Sequence, residues 1–236
     1  MVERLVTVND VDDQKRRAAE RAVTLVEDGM LLGLGSGSTA EWFVRLLGPR
    51  IAGGLHVKGV ATSLRTERVA CEVGLPLVEL DREPDLAVDG ADAIERGTLA
   101  AIKGHGGALT REKLVALASR RFVLIGDRRK LRDRLPDVGQ DFAVPVEVLE
   151  FGCRVTIRRL ANLGNPTLRE RDGAPFRTDN GNLIVDLTRA PLDSPARLAG
   201  ELDAMPGVVD HGLFLGIATL AIVATADDVI ELLATT

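Results

Sequence analysis

The chain has 236 residues, a net charge of −5 and a hydrophobic content of 45%. That length can bury one large core, or a large and a small one. The negative balance and an aromatic content of 3%, with no tyrosine, exclude a basic nucleic-acid surface and a base-stacking platform.

No apolar run approaches the roughly 20 residues that cross a bilayer, and Met1–Asp13 lacks a basic-then-apolar signal pattern. A soluble cytoplasmic protein without membrane contact is expected. Cys71 and Cys153 stand far apart and read as small buried hydrophobes, not as a disulfide framework. His56, His105 and His211 are equally scattered, so neither a metal nor a cofactor is expected.

The apolar stripe Ala18, Ala19, Ala22, Val23 and Val26 predicts a helix over residues 13–27. Met30–Leu34 reads as a buried strand, followed by a glycine turn and a helix over 39–47. The alternation continues with strands at 56–61, 76–80 and 86–89 and a helix at 66–73. A helix at 108–120 then leads into a strand at 122–125. This order predicts an α/β fold, a mostly parallel Rossmann-like sheet with helices on both faces. Ligands of such sheets sit beyond the carboxyl ends of the strands. The polar motifs fall at those ends: after Leu34, after Ala61, at Asp89 and after Ile125.

From about Asp141 the pattern becomes strand 144–149, helix 153–163, strands 167–171 and 183–187, helix 194–205 and a short strand at 208–209. That order predicts a smaller ferredoxin-like α+β domain over residues 141–211. Residues 1–140 and 212–236 form the Rossmann-like domain, closing with a strand at 220–224 and a helix at 226–233.

Four clusters carry chemistry. Gly33-Leu34-Gly35-Ser36-Gly37-Ser38-Thr39 joins a strand to a helix, and its backbone N–H groups and hydroxyls suit a phosphate monoester. It lacks the Gly-Lys-Ser/Thr of a Walker loop and the dinucleotide-binding glycine spacing. A plain tight turn with Ser38 or Thr39 as N-cap fits the same residues equally well. Asp89-Gly90-Ala91-Asp92 sets two carboxylates at a strand end, able to bind sugar hydroxyls or move protons, although aspartates there more often cap a turn.

Lys103-Gly104-His105-Gly106-Gly107 leads into Ala108-Leu109-Thr110-Arg111-Glu112-Lys113. With Thr110 as N-cap, Glu112 lies in a first helical turn, where the positive helix end favours an ionised carboxylate fit to act as a base or merely to complement the dipole. Asp127-Arg128-Arg129-Lys130 is a basic strand end, equally suited to a phosphate or to solvent. Only five of the 30 basic residues are lysine: Lys15, Lys58, Lys103, Lys113 and Lys130. So strong an arginine preference hints that lysine is kept where a compact ammonium is needed.

Taken in this order, the clusters resemble the type A ribose-5-phosphate isomerase family. The likeness extends through Pro145-Val146-Glu147-Val148, Thr178-Asp179-Asn180-Gly181-Asn182 and Pro206-Gly207-Val208-Val209, so it spans nearly the whole chain. It implies a metal-free aldose–ketose isomerase of the non-oxidative pentose phosphate pathway, a cytoplasmic homodimer or homotetramer acting on a small phosphosugar. Glu112 would shuttle a proton between C1 and C2, Lys103 would stabilise the enediolate and Asp89 would assist ring opening. Ser36, Gly37, Ser38 and Thr39, then Asp89, Gly90, Ala91 and Asp92, then Lys103, Gly104, His105 and Gly106, with Lys130, would bind substrate. Lys15 aligns by spacing with a further family lysine near the pocket.

The chain departs from the family pattern at Ser36, where threonine is usual, and at His105, where glycine is usual. The second departure raises the expectation of a strained positive φ and of an imidazole near the pocket. Three other readings share this scaffold: a hexose-phosphate isomerase, a sugar-phosphate-sensing module and a coenzyme A transferase. The chain before Gly33 is too short for the DNA-binding domain of such a sensor, and the Lys103 and Asp89/Asp92 clusters argue against the transferase.

Overall fold

The computed structural model describes residues 8–135 and 142–235. In chain order, α1 (Val8–Val23) is followed by β1 (Leu31–Leu34), α2 (Ser38–Ala52), β2 (Lys58–Ala61), α3 (Leu64–Glu72) and β3 (Leu86–Gly90). Next come β4 (Ala93–Glu95), β5 (Ala101–Ile102), α4 (Leu109–Ala118), β6 (Phe122–Asp127) and β7 (Leu131–Arg132). The chain continues with β8 (Val144–Val148), α5 (Cys153–Leu160), β9 (Asn165–Leu168), the small hairpin β10 (Glu170–Arg171) and β11 (Ala174–Pro175), and β12 (Leu183–Thr188). It closes with α6 (Pro195–Asp203), β13 (Val208–His211), β14 (Leu213–Phe214), β15 (Leu220–Ala224) and β16 (Val229–Leu233).

The main sheet has the order β16-β15-β6-β3-β1-β2, and every pairing is parallel except that of β16 with β15. From β1 the chain moves outward to β2 and then returns to the other side of β1 as β3. The strand order therefore reverses between β1 and β3, and the connections diverge there to leave a crevice at the carboxyl ends.

The inner strands are apolar up to their carboxyl ends because both faces of the sheet are covered. Leu32, Leu34, Leu86, Val88, Val123 and Ile125 face one way and pack on the small and aliphatic stripes of α1 to α3. Leu31, Ala87, Phe122 and Leu124 face the other way, against Val115 and Ala116 of α4 and against Ile94, Ala101 and Phe214. The last three belong to a four-stranded sheet of order β14-β5-β4-β7. Helices cover both faces of the main sheet, three on one side and α4 on the other.

The smaller sheet, β13-β8-β12-β9, is antiparallel throughout, and α5 and α6 provide its helices. This is the strand–helix–strand–strand–helix–strand unit expected from the sequence. Its core includes Val144, Val146, Leu160, Leu198 and Leu202, and it runs on into Ala93, Ile102 and Leu213 beside the main sheet. The boundary expected at residues 140/141 lies outside the described residues.

Several elements differ from expectation. Residues 226–233 form no helix: Val229–Leu233 pairs with β15 as an antiparallel edge strand. Residues 76–80 make only an isolated bridge, Leu77 to Gly59. The first helix begins at Val8 and ends at Val23, and the strand expected at 167–171 splits into β9 and β10. Strands β4, β5, β7 and β14, two or three residues each, carry no periodic signal. Cys71 is exposed and Cys153 half-buried, against the expectation that both are core residues. Among the described residues, no helix is long and apolar enough to cross a membrane.

Gly33 lies where Val115 of α4 packs on the sheet. A Cβ there would lie 2.5 Å from Val115 Cγ1 and 2.7 Å from Ala87 Cβ. Gly33→Ala should therefore overpack this layer and destabilise the protein by about 1–3 kcal/mol, read as a lowered urea midpoint at unchanged slope.

Candidate active site

Beyond β1 the chain turns sharply, and Gly35 is what allows the turn to lie against β3. A Cβ at this position would stand 2.2 Å from Asp89 Cγ. With glycine there, Asp89 Oδ1 accepts the N–H of Ser36 at 2.9 Å and that of Gly90 at 2.7 Å. Gly37, at φ 91°, caps α2 without any side-chain hydrogen bond. Neither Ser38 nor Thr39 serves as N-cap; both lie within the first turn. The helix thus presents its positive end and first-turn amides without a side-chain acceptor, a setting that favours an anion.

Ser36 Oγ is occupied elsewhere. It lies 2.8 Å from both Thr62 Oγ1 and Ser63 Oγ, and 3.3 Å from Thr66 Oγ1. Thr66 Oγ1 in turn donates to Gly35 O at 2.9 Å, and Thr62 Oγ1 to Leu34 O at 3.0 Å. These three hydroxyl residues hold the loop in shape and were not singled out from the sequence. The available signal was their position just after Ala61, at another strand end.

Lys103, at the end of β5, is 2% exposed, and its Nζ donates to Gly90 O. The same nitrogen lies 3.0 Å from Asp89 Oδ2 and 3.4 Å from Glu112 Oε2. Those distances are charge contacts without hydrogen-bond alignment. Each of the two carboxylate oxygens is buried with no hydrogen-bond partner among the described residues. One ammonium thus faces two buried carboxyl groups.

The electrostatics follow from that count. Burial and the neighbouring Asp89 and Asp92 charges push the Glu112 carboxyl up to about 8, with Lys103 opposing them. Burial also raises Asp89, against the pull of Lys103. For Lys103, burial acts downward, but the Asp89 and Glu112 carboxylates outweigh it and the net shift is upward. Burial therefore opposes the ionised carboxylate expected of Glu112 at a helix end. The helix N-cap is Ala108, Thr110 donates instead to Glu147 Oε2 at 2.6 Å, and the cost of burying a second carboxylate exceeds the help of the helix end.

Glu112 and Lys103 line a cavity of about 150 Å³ together with Ser36, Gly37, Ser38 and Thr39. Gly90, Ala91 and Asp92 form another wall, and Gly104 and Gly106 a third. Lys15, Arg129 and Lys130 complete the lining with positive charge. Asp89 sits behind the lining, under the Ser36 turn. Three of the five lysines thus reach this cavity, and a fourth, Lys113, is buried beside it on Asp210. Arg129 is an addition to the residues expected; its guanidinium also pairs with Asp127 at 2.8 Å.

His105 does not line the cavity. Its N–H donates to Asp92 Oδ2 at 3.0 Å, and its ring Nε2 lies 3.1 Å from Ala143 O. Nor does it take the positive φ expected of it. Gly104 at φ 100° and Gly107 at φ 88° carry the turn. Among the described residues no cluster of His, Cys, Asp and Glu is grouped to hold a metal ion.

Fold and site together define an α/β enzyme whose cavity, at a strand-order reversal, sets an uncapped helix end and positive side chains beside a buried carboxyl group. The family model for ribose 5-phosphate isomerase A (phosphoriboisomerase A) matches residues 58–228. A ribose-5-phosphate isomerase A from Thermomicrobium roseum is 52% identical over 89% of this chain and 90% of its own length. The structure of ribose 5-phosphate isomerase A from Methanocaldococcus jannaschii superposes with a TM-score of 0.89 at 41% identity, covering 94% of this chain and 99% of that one. A D-ribose-5-phosphate isomerase in complex with phospho-erythronic acid gives a TM-score of 0.88 at 37% identity, over 94% of this chain and 99% of that one. The chain belongs to the ribose 5-phosphate isomerase A family.

The raised Glu112 carboxyl also leaves a mark on stability. Its folded value, about 8, lies above its ordinary 4.5, so the folded state holds this proton more tightly. That contribution is complete below the ordinary value and is lost as pH rises through the folded one. Denaturant midpoints should therefore fall between about pH 5 and pH 9 in the native chain, and fall less in Glu112→Gln, which mimics the protonated form.

Proposed function

We propose that the chain interconverts D-ribose 5-phosphate and D-ribulose 5-phosphate through an enediolate, with Glu112 as the base. The single observation that carries this reading is Glu112 and Lys103, buried within 3.4 Å of each other, lining one cavity with the uncapped amino end of α2.

The reaction takes a proton from the carbon next to a carbonyl and returns it to the neighbouring carbon. A carboxyl near 8 suits that exchange, because a base matched to the working pH both holds and releases its proton readily. Negative charge grows on the enediolate oxygens, and the Lys103 ammonium, already fixed and dry, stabilises it without reorganising. Likeness to the family supports Asp89 as the residue that assists ring opening, acting from behind the lining through its contact with Lys103 Nζ at 3.0 Å. The first-turn amides of α2, with Lys15, Arg129 and Lys130, supply donors and charge for the phosphate. Binding energy from that remote group then aligns C1 and C2. Likeness to the family supports a cytoplasmic homodimer or homotetramer as the working form.

Purified, chelator-treated protein should form ketopentose from ribose 5-phosphate; no turnover overturns the reading. Glu112→Gln should lower kcat on the order of 10²–10⁴-fold while phosphosugar binding persists. Because the base works deprotonated, kcat/KM should fall as pH drops through about 8, the value of the free enzyme. A profile flat between pH 6 and 9 removes Glu112 from the role. Lys130→Ala should weaken phosphorylated ligands by about 1–3 kcal/mol and leave unphosphorylated sugars little changed.

A further inference from the structure

The turn after Lys103 is held from outside the main sheet by a side chain that no motif singled out. Arg169 follows β9 in the smaller sheet, with its side chain largely buried. Its Nε and Nη2 grip the carboxylate of Asp186 on β12. The remaining corner, Nη1, donates to Gly104 O and His105 O, each at 3.0 Å. Asp186 balances the charge and orients the guanidinium, so its planar fork meets two successive carbonyls at a fixed angle.

A trans peptide points its N–H opposite its C=O. In the 104–105 peptide the carbonyl is on Arg169, and the N–H of His105 lies on the other side, donating to Asp92 Oδ2 at 3.0 Å. In the 105–106 peptide the carbonyl is again on Arg169, which turns the N–H of Gly106 away from it. That N–H has no acceptor among the described residues, and Gly106 lines the cavity. Phe176, from the same part of the smaller unit, fills the space a Cβ on Gly107 would take, 2.3 Å from the ring. The turn is thus pressed into one shape from the far side.

We infer that Arg169, oriented by Asp186, is a positioning residue: it pins two carbonyls of the 104–107 turn so that the Gly106 N–H stands as a donor to an oxygen of the sugar portion of the substrate. This rests on the isomerase reading above. Of the two amides behind those carbonyls, that of His105 is held by Asp92, a lining residue, and that of Gly106, itself a lining residue, is left without an acceptor among the described residues.

The test compares Arg169→Lys, which keeps a cation but not the fork, with the native chain, using phospho-erythronic acid and inorganic phosphate as ligands. The dissociation constant for phospho-erythronic acid should rise about tenfold, the loss of one hydrogen bond to a ligand, while phosphate binding stays within about twofold. KM for ribose 5-phosphate should rise with it, and hydrogen exchange of peptides covering 103–107 should quicken. Asp186→Asn, which leaves the guanidinium in place but frees it, should move the same readouts in the same direction if Arg169→Lys folds poorly. Unchanged affinity for phospho-erythronic acid, equal weakening of both ligands, or unaltered exchange overturns the inference. Turnover of ribose 5-phosphate by the native chain, measured alongside, judges the isomerase reading separately.

Discussion

One buried ammonium between two buried carboxyl groups organises this molecule. Taking Lys103, Asp89 and Glu112 out of water together is costly, and three charges of which two are alike cannot all be satisfied. The protein resolves the excess by letting Glu112 keep its proton to about 8, so the resting site holds close to balanced charge. Asp89, anchored by two backbone amides, remains the partner of Lys103. The scaffold serves to keep those atoms in place. The glycine at 35 lets the turn after β1 lie close enough for Asp89 to support it, and α4, packed over Gly33 through Val115, carries Glu112 to the cavity.

Much of this was legible in the sequence. The apolar runs of β1, β3 and β6, each followed by a glycine-rich or charged segment, announce a parallel sheet with polar strand ends, and the cavity lies at all three of those ends. What was not legible was tertiary. The residues 226–233 alternate too weakly to distinguish an edge strand from a helix, and only pairing with β15 decides it. Strands of two or three residues, such as Ala101–Ile102, hold no period to read. The ionisation of Glu112 is not legible because a helix end is a local feature, whereas its burial beside Asp89 comes from a segment more than twenty residues away. Arg169, on a different sheet, left no sequence signal of its contact with Gly104.

The lysines tell a related story. In a chain that writes most of its positive charge as arginine, three lysines border the cavity and a fourth is buried beside it, whereas Lys58 sits exposed on an edge strand. A compact, strongly hydrated ammonium can be enclosed on three sides by carbonyl and carboxylate oxygens, as Lys103 is; a guanidinium plane would not fit the same enclosure. Arginine is used instead where a flat fork spans two groups, as at Arg169 between Asp186 and the turn.

The hydroxyl of Ser36 is turned inward to Thr62, Ser63 and Thr66. The Ser36 hydroxyl thus supports the loop from within, and an anion at its mouth meets the first-turn amides of α2 together with Lys15, Arg129 and Lys130. A threonine at 36 keeps the inward hydroxyl, while the neighbouring Gly35 has no such latitude. Position 36 is thus held by a hydroxyl that more than one residue can supply, and position 35 by the absence of a Cβ, which glycine alone supplies.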